Sequence, residues 1–202
     1  MSKNLFIKGF TGTTYQVPRI DKSTFALQSI DYAHHEIHDG SFYCVHHYEA
    51  DFDKANVIGI LFTTPNTTNW IHMFPIVWAG AASLFEILEA PTLDTGNYPT
   101  VFQAPFNRNT SKILSVRAVP VVNQASLKRP ADSSPVTGDG TTIHAEMLGS
   151  SKQGGGGGER DNNEFVLKRN TTYYFRLSGT AGGADNSVAS IVLNFYEHTD
   201  RE

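Results

Sequence analysis

A single cysteine in 202 residues, Cys44, leaves the chain without an intramolecular disulfide and without the paired thiolates of most structural zinc sites. That scarcity fits synthesis in a reducing cytoplasm. Charge is sparse as well: 18% of residues are Asp, Glu, Lys or Arg, below the roughly 25% of an average soluble chain. The 16 basic and 20 acidic residues give a net charge of −4. Such a surface lacks the clustered Lys and Arg that displace counterions from a nucleic-acid backbone, so no nucleic-acid partner is expected. Long apolar runs are missing too. The richest, Ile71 to Leu88, is interrupted by His72, Pro75, Ser83 and Glu86, and no membrane span is expected. Met1 to Gly9 lacks the apolar core of a signal peptide, so the expected protein is soluble and not secreted by the general route.

What is present is enough to build a core. Hydrophobic residues make up 40% of the chain, and with its 17 glycines the apolar share is about 48%, inside the roughly 45–50% of globular domains. Global disorder is excluded, and one domain spanning residues 1–202 is the expectation at this length.

Two-residue alternation dominates the pattern. In Asn170 to Ser178, Tyr173, Phe175 and Leu177 fall on one face and Arg176 and Ser178 on the other, as in a half-buried strand. Ile191, Leu193 and Phe195 repeat it, and the turn-rich stretch Gly179 to Asn186 between them predicts a hairpin. Further strands are expected at Phe25–Ile30, Phe42–Tyr48, Val57–Thr63, Trp70–Trp78, Ile113–Val122, Thr141–Leu148 and Glu164–Lys168. Trp70–Trp78 is apolar on both faces and reads as a central strand covered on both sides, while Pro75 and Pro120 argue for bulges or edge positions. Ala81–Ala90 fits helix or strand, and its neighbours favour strand. About ten short strands predict an all-β protein, an antiparallel β-sandwich of jelly-roll type with few or no helices.

Residues 128–163 are of low complexity and hold the run Gly154 to Gly158, expected as a flexible Gly-rich insertion. No Gly-Lys-Ser or Gly-Lys-Thr follows it, so it is not a phosphate-binding loop.

The most chemically suggestive feature is His34-His35-Glu36-Ile37-His38, followed by His46-His47. On a strand, His34, Glu36 and His38 would share a face, and a turn at Asp39-Gly40 would bring His46 or His47 alongside, a donor set suited to zinc, iron or manganese. Neither His-Glu-x-x-His nor His-x-His occurs, however, so no metal or other cofactor is expected and His34, His38, His46 and His47 remain weak metal candidates. Nucleophilic catalysis finds little support. Gly-x-Ser-x-Gly is absent, and Cys44 sits in an aromatic strand where it shares a face with His46 but not His47. The carboxylates Glu36, Glu49, Asp51 and Asp53 read as solvated rather than as a glycosidase pair. The Asn-x-Ser/Thr triplets at Asn66, Asn109 and Asn170 read as turns. No enzymatic activity is expected.

Four segments carry a resemblance: Tyr32 to Gly40, Leu61 to Trp70, Phe85 to Thr92 and Asn194 to Asp200. In this order, with a Gly-rich stretch before the last two strands, they resemble structural proteins of the head modules of tailed bacteriophages. The resemblance spans roughly residues 25–125 and 160–200. It implies a capsid decoration or cement protein, a homo-oligomer and more specifically a trimer, made in the host cytoplasm and seated on the outer surface of the virion across major capsid protein subunits. It brings no catalytic residues. The shell-facing element would be an N-terminal arm, residues 1–14, with 128–163 outside or clasping a neighbour. Two other classes stand beside it: a host-surface or glycan-binding module using Tyr98, Phe102 and Phe106, and a cupin-like metalloenzyme using His34, His38 and His46 or His47.

Overall fold

The computed structural model describes residues 10–11, 14–15, 32–54, 56–93, 103–109, 136–149, 155–157, 164–180 and 187–198. The chain divides into two compact units, Met1–His35 and Glu36–Glu202. In the first, β1 (Phe10–Thr11) pairs antiparallel with β2 (Thr14–Tyr15). The rest of the expected N-terminal arm, and the strands expected at Phe25–Ile30 and Ile113–Val122, lie outside the described residues. Helix α1 (Tyr32–Asp39) begins in the first unit and ends in the second.

The sandwich expected over 1–202 lies within the second unit. Its strands are β3 (Phe42–Phe52), β4 (Val57–Thr63), β5 (Trp70–Ala79), β6 (Ser83–Glu89), β7 (Thr92–Leu93), β8 (Ala104–Pro105), β9 (Val136–Gly138), β10 (Thr141–Leu148), β11 (Gly155–Gly157), β12 (Phe165–Leu167), β13 (Thr172–Gly179) and β14 (Ser187–His198). Every pairing is antiparallel. One sheet has the order β10-β6-β13-β4. The other runs β11-β5-β14-β3-β8, with β12 on the same side of β5 as β11, and β7 and β9 form a separate ribbon.

The alternation seen in the sequence supplies the inner faces. Tyr43 and Val45, Ile71 and Met73, and Ile191, Leu193 and Phe195 from one sheet meet Ile58, Ile60 and Phe62, Phe85 and Ile87, and Tyr173, Phe175 and Leu177 from the other in one buried cluster. Each such side chain contributes roughly 1.5–3 kcal/mol on burial, which holds the two sheets face to face. Phe62 and Phe195 cross edge to face at 5.1 Å within it.

Several expectations change on contact with tertiary structure. The runs at 170–178 and 191–196 are strands but not a hairpin: β13 lies between β6 and β4, and β14 between β5 and β3, so their connection crosses between sheets. The run His34 to His38 is helix, not strand. It stops at Gly40, whose φ of 84° lets its N–H reach the carbonyls of Glu36 and Ile37 at 3.0 and 3.1 Å while Ser41 N–H also bonds Glu36. The Asp39-Gly40 signal is thus a helix C-cap rather than a hairpin turn. Within the glycine run, Gly155–Gly157 pairs with Val77–Ala79 of β5 instead of standing as loop, because backbone alone can complete a sheet edge. β5 is paired on both sides, but its second face is covered only in part: Phe74 is buried, while Ile76 and Trp78 are exposed. Among the described residues β11 and β12 leave Trp70 at the strand's start and Phe74–Ile76 without a partner on that side, the gap centred on Pro75, which has no N–H to donate.

Candidate functional site

The residues that sequence reasoning singles out are scattered by the fold. His34 and His38 are exposed on α1, where a helix does not set Glu36 on their face as a strand would. Glu36 is buried and accepts a hydrogen bond from the Ser41 hydroxyl, which ties the helix end to the start of β3. His46 is exposed on the outer face of β3. His47 points the other way, buried, with Nδ1 3.2 Å from the Gly59 carbonyl of β4. Among the described residues no group of three or more His, Cys, Asp or Glu is placed to hold a metal.

Cys44 shares the outer face with His46, and the thiol is held above its ordinary pKa by burial, against the nearby charge of Arg108. A thiol pushed that way is a poor nucleophile at neutral pH. Among the carboxylates, Glu49 Oε1 accepts from the Ala50 and Asp51 backbone N–H groups at 3.1 and 3.4 Å, a local bond at the bulge where β3 slips against β14. Asn170 sits at φ 48°, the left-handed region that asparagine tolerates, so its triplet does build a turn. No described helix is long and apolar enough to cross a membrane.

What the fold does assemble is the outer face of the six-stranded sheet. Register places Phe42, Tyr196 and His72 in one row across β3, β14 and β5, then Cys44, Asn194 and Phe74, then His46, Val192 and Ile76, then Tyr48, Ser190 and Trp78. The first two rows hold a buried aromatic cluster. Phe42 lies 4.8 Å edge-on to Phe106, and the His72 and Tyr196 rings stack at 4.6 Å and 8°. Glu164, just before β12, receives the Tyr196 hydroxyl at 3.0 Å and also pairs with His72 Nδ1, which fastens β12 to β5. The last two rows are open, with Ile76 and Trp78 partly exposed and Tyr48 more than half exposed.

Exposed apolar side chains also occur on β10 and β12, which end their sheets, but they face opposite ways: Met147 points out of the four-stranded sheet and Val166 out of the six-stranded one. Ile143, Met147 and Val166 are exposed there, Met147 most of all at 64%. Sequence pattern singles out none of these surfaces. Strand alternation alone marks Trp78 and Met147 as apolar, and only sheet partners decide whether anything lies over them. Of the glycan-module candidates, Tyr98 and Phe102 lie outside the described residues, and Phe106 is exposed, as expected, while one edge packs on Phe42. Compared with protein-family models, curated proteins and solved structures, the chain finds no match, so the reading of its function rests on its own fold and surface.

Proposed function

We propose that this chain is a bacteriophage virion protein that decorates and stabilises the capsid shell by binding across major capsid protein subunits. The observation that carries the reading is the wiring of the sandwich. Eight strands fall into two sets of four, β3-β14-β5-β12 and β4-β13-β6-β10, and the chain changes sheet at every step between them except from β6 to β10. We read that winding as a jelly roll, an architecture that serves viral capsids as well as lectins. The segments that resemble phage head proteins fall on α1 and its cap, the β4–β5 connection, β6 and the end of β14. These are positions that set the fold, which suits a structural rather than a catalytic protein.

The β10 edge of the four-stranded sheet, bearing Ile143 and Met147, is the surface we assign to contact with the shell or with a neighbouring copy, since methionine and aliphatic side chains favour the centre of an interface. Sheet edges of this kind are otherwise a liability for indiscriminate pairing. A homotrimer on the outer surface of the head would touch several capsid subunits at once, so modest contacts combine by avidity. Binding only the assembled shell then stabilises it by mass action.

The test is made on particles. Heads lacking the protein should release DNA at a lower temperature and under milder osmotic shock than complete ones, and adding back purified protein should restore resistance. Protein carrying Ile143→Glu and Met147→Glu should fail to restore it. Equal resistance with and without the protein would overturn the proposal, and native mass separates trimer from other assemblies.

A further inference from the structure

We infer that the open rows of the six-stranded sheet, around Trp78 and Tyr48, bind a neutral polysaccharide chain. Both residues pair in register with Ser190 of β14, so they lie on the same row two strand spacings apart, about 9–10 Å between their Cα atoms. Each offers an aromatic ring, Trp78 at 38% and Tyr48 at 57% exposure. A pyranose carries C–H groups on one face and hydroxyls around its rim. The first stacks on an aromatic ring, and two rings at this separation suit successive sugars of one chain.

The rim of a sugar needs hydrogen-bonding groups, and they are present between the rings. Ser190 lies in the same row, His46 in the next and Asn194 beyond it. Among the described residues none of these side chains, nor the Tyr48 hydroxyl or Trp78 indole N–H, is committed to another partner. The Trp78 ring also has room to lie flat along the sheet. Its Cη2 lies 3.3 Å from where a Cβ on Gly80 would stand, so the ring extends along the strand over a residue with no side chain to lift it.

Charge and area decide the kind of occupant. The outward residues of these rows and the next, Cys44, His46 and Tyr48, Ser190, Val192 and Asn194, and Phe74, Ile76 and Trp78, include no Asp, Glu, Lys or Arg. Arg108 brings its charge near Cys44, but the two open rows themselves offer an anionic polymer no ion-pair partner, and a neutral one leaves no charge there stripped of water. Tyr48, Ile76 and Trp78 at these exposures offer about 300 Å² in total, taking large side chains at roughly 150–250 Å² each. That apolar area is small beside the roughly 800 Å² per partner of a stable protein interface, and it matches the footprint of a few sugar rings.

The test is affinity electrophoresis of the full chain in gels containing galactomannan, dextran or yeast mannan, with heparin as an anionic control. Retardation by at least one neutral polymer is expected. Trp78→Ala and Tyr48→Ala should each weaken it about tenfold, the loss of an aromatic anchor, with melting temperature and native mass unchanged. Tyr48→Phe, which keeps the ring, should retain most of it. The inference is overturned by no retardation in any neutral gel, by retardation in heparin alone, or by alanine variants retarded as strongly as the unsubstituted chain. A fall in native mass in those variants also overturns it, by assigning the face to a second copy. Capsid stabilisation is read on particles and fails or succeeds separately.

Discussion

The two sheets present similar inner faces and opposite outer ones. On the four-stranded sheet, Tyr174, Leu61 and Leu88 are fully or almost fully buried although they point away from the core, with Leu93 packed against them. Beside them Arg176 reaches across β13 to β6. Its Nε and Nη2 donate to Glu86 Oε2 at 3.0 and 2.8 Å, and Nη1 donates to Asp139 Oδ1 at 3.0 Å. Burial works against the Arg176 charge, yet the bond to Glu86, its charge and that of Asp139 outweigh it and raise the guanidinium pKa. On the six-stranded sheet the aromatic cluster at one end gives way to uncommitted Tyr48, Ile76 and Trp78 at the other. One outer face is closed by its own side chains over β4, β13 and β6, with Met147 exposed on its edge strand β10, and the other retains an open apolar area across β3, β14 and β5. Closed faces stabilise a fold, whereas open ones are available to a ligand.

If that contrast is right, the same kind of substitution should behave differently on the two faces. The largest effect is expected for Tyr174→Ala, which empties a fully buried site on the closed face and should cost about 3–4 kcal/mol, read from urea unfolding. Arg176→Met should follow at about 2–3 kcal/mol, because it leaves the mostly buried Glu86 carboxylate without its charged partner. A cost below roughly 0.5 kcal/mol would mean that the ion pair is solvated like an ordinary surface pair.

The closed sheet should also carry a pH signature at its end. Glu89 accepts from Lys168 Nζ at 2.6 Å and from the Tyr173 hydroxyl at 3.0 Å. The bond from Lys168 is the main cause that lowers its pKa below the usual 4.5, helped by Tyr173 and opposed by burial. A depressed carboxylate contributes stability above its unfolded pKa and loses it as pH falls through the folded value, so acid unfolding should begin below pH 4.5 and be less steep in Glu89→Gln. Tyr173 is shifted the other way, by burial first and by Glu89 as well, which outweigh the Lys168 backbone bond. Its contribution is complete below its unfolded pKa of 10 and declines as pH rises past it, so Tyr173→Phe should flatten the alkaline limb. The smallest effect is expected for Trp78→Ala on the open face, below about 1 kcal/mol in the same unfolding assay. A loss comparable to Tyr174→Ala would erase the contrast between the faces.

Much of the strand content is legible in the residue pattern alone. Val57–Thr63 and Thr141–Leu148 coincide with β4 and β10, and Ala81–Ala90 does hold a strand, β6. Alternation is enough for this because a two-residue period sends every second side chain to one face. Helix α1 escapes such a reading because its histidines carry no apolar stripe, and its clearest signal is the Gly40 cap rather than any period. The open face is not legible at all. Trp70 to Trp78 is apolar on both sides, and the sequence cannot say that the inner residues Ile71, Met73 and Val77 meet a second sheet while Ile76 and Trp78 do not.

By itself, then, the sequence determined where the chain is extended, which side chains alternate, and that charge and thiols are too few for several chemistries. Those properties are local, since periodicity and composition act within a few residues. Tertiary structure alone decided that β14 lies between β5 and β3, that His46 and His47 part to opposite faces, and that Tyr48, Ser190 and Trp78 line up in one row. The reason is that strand neighbours here are brought together across separations such as that between Trp78 and Ser190, and no short-range pattern encodes which distant strand will complete a sheet.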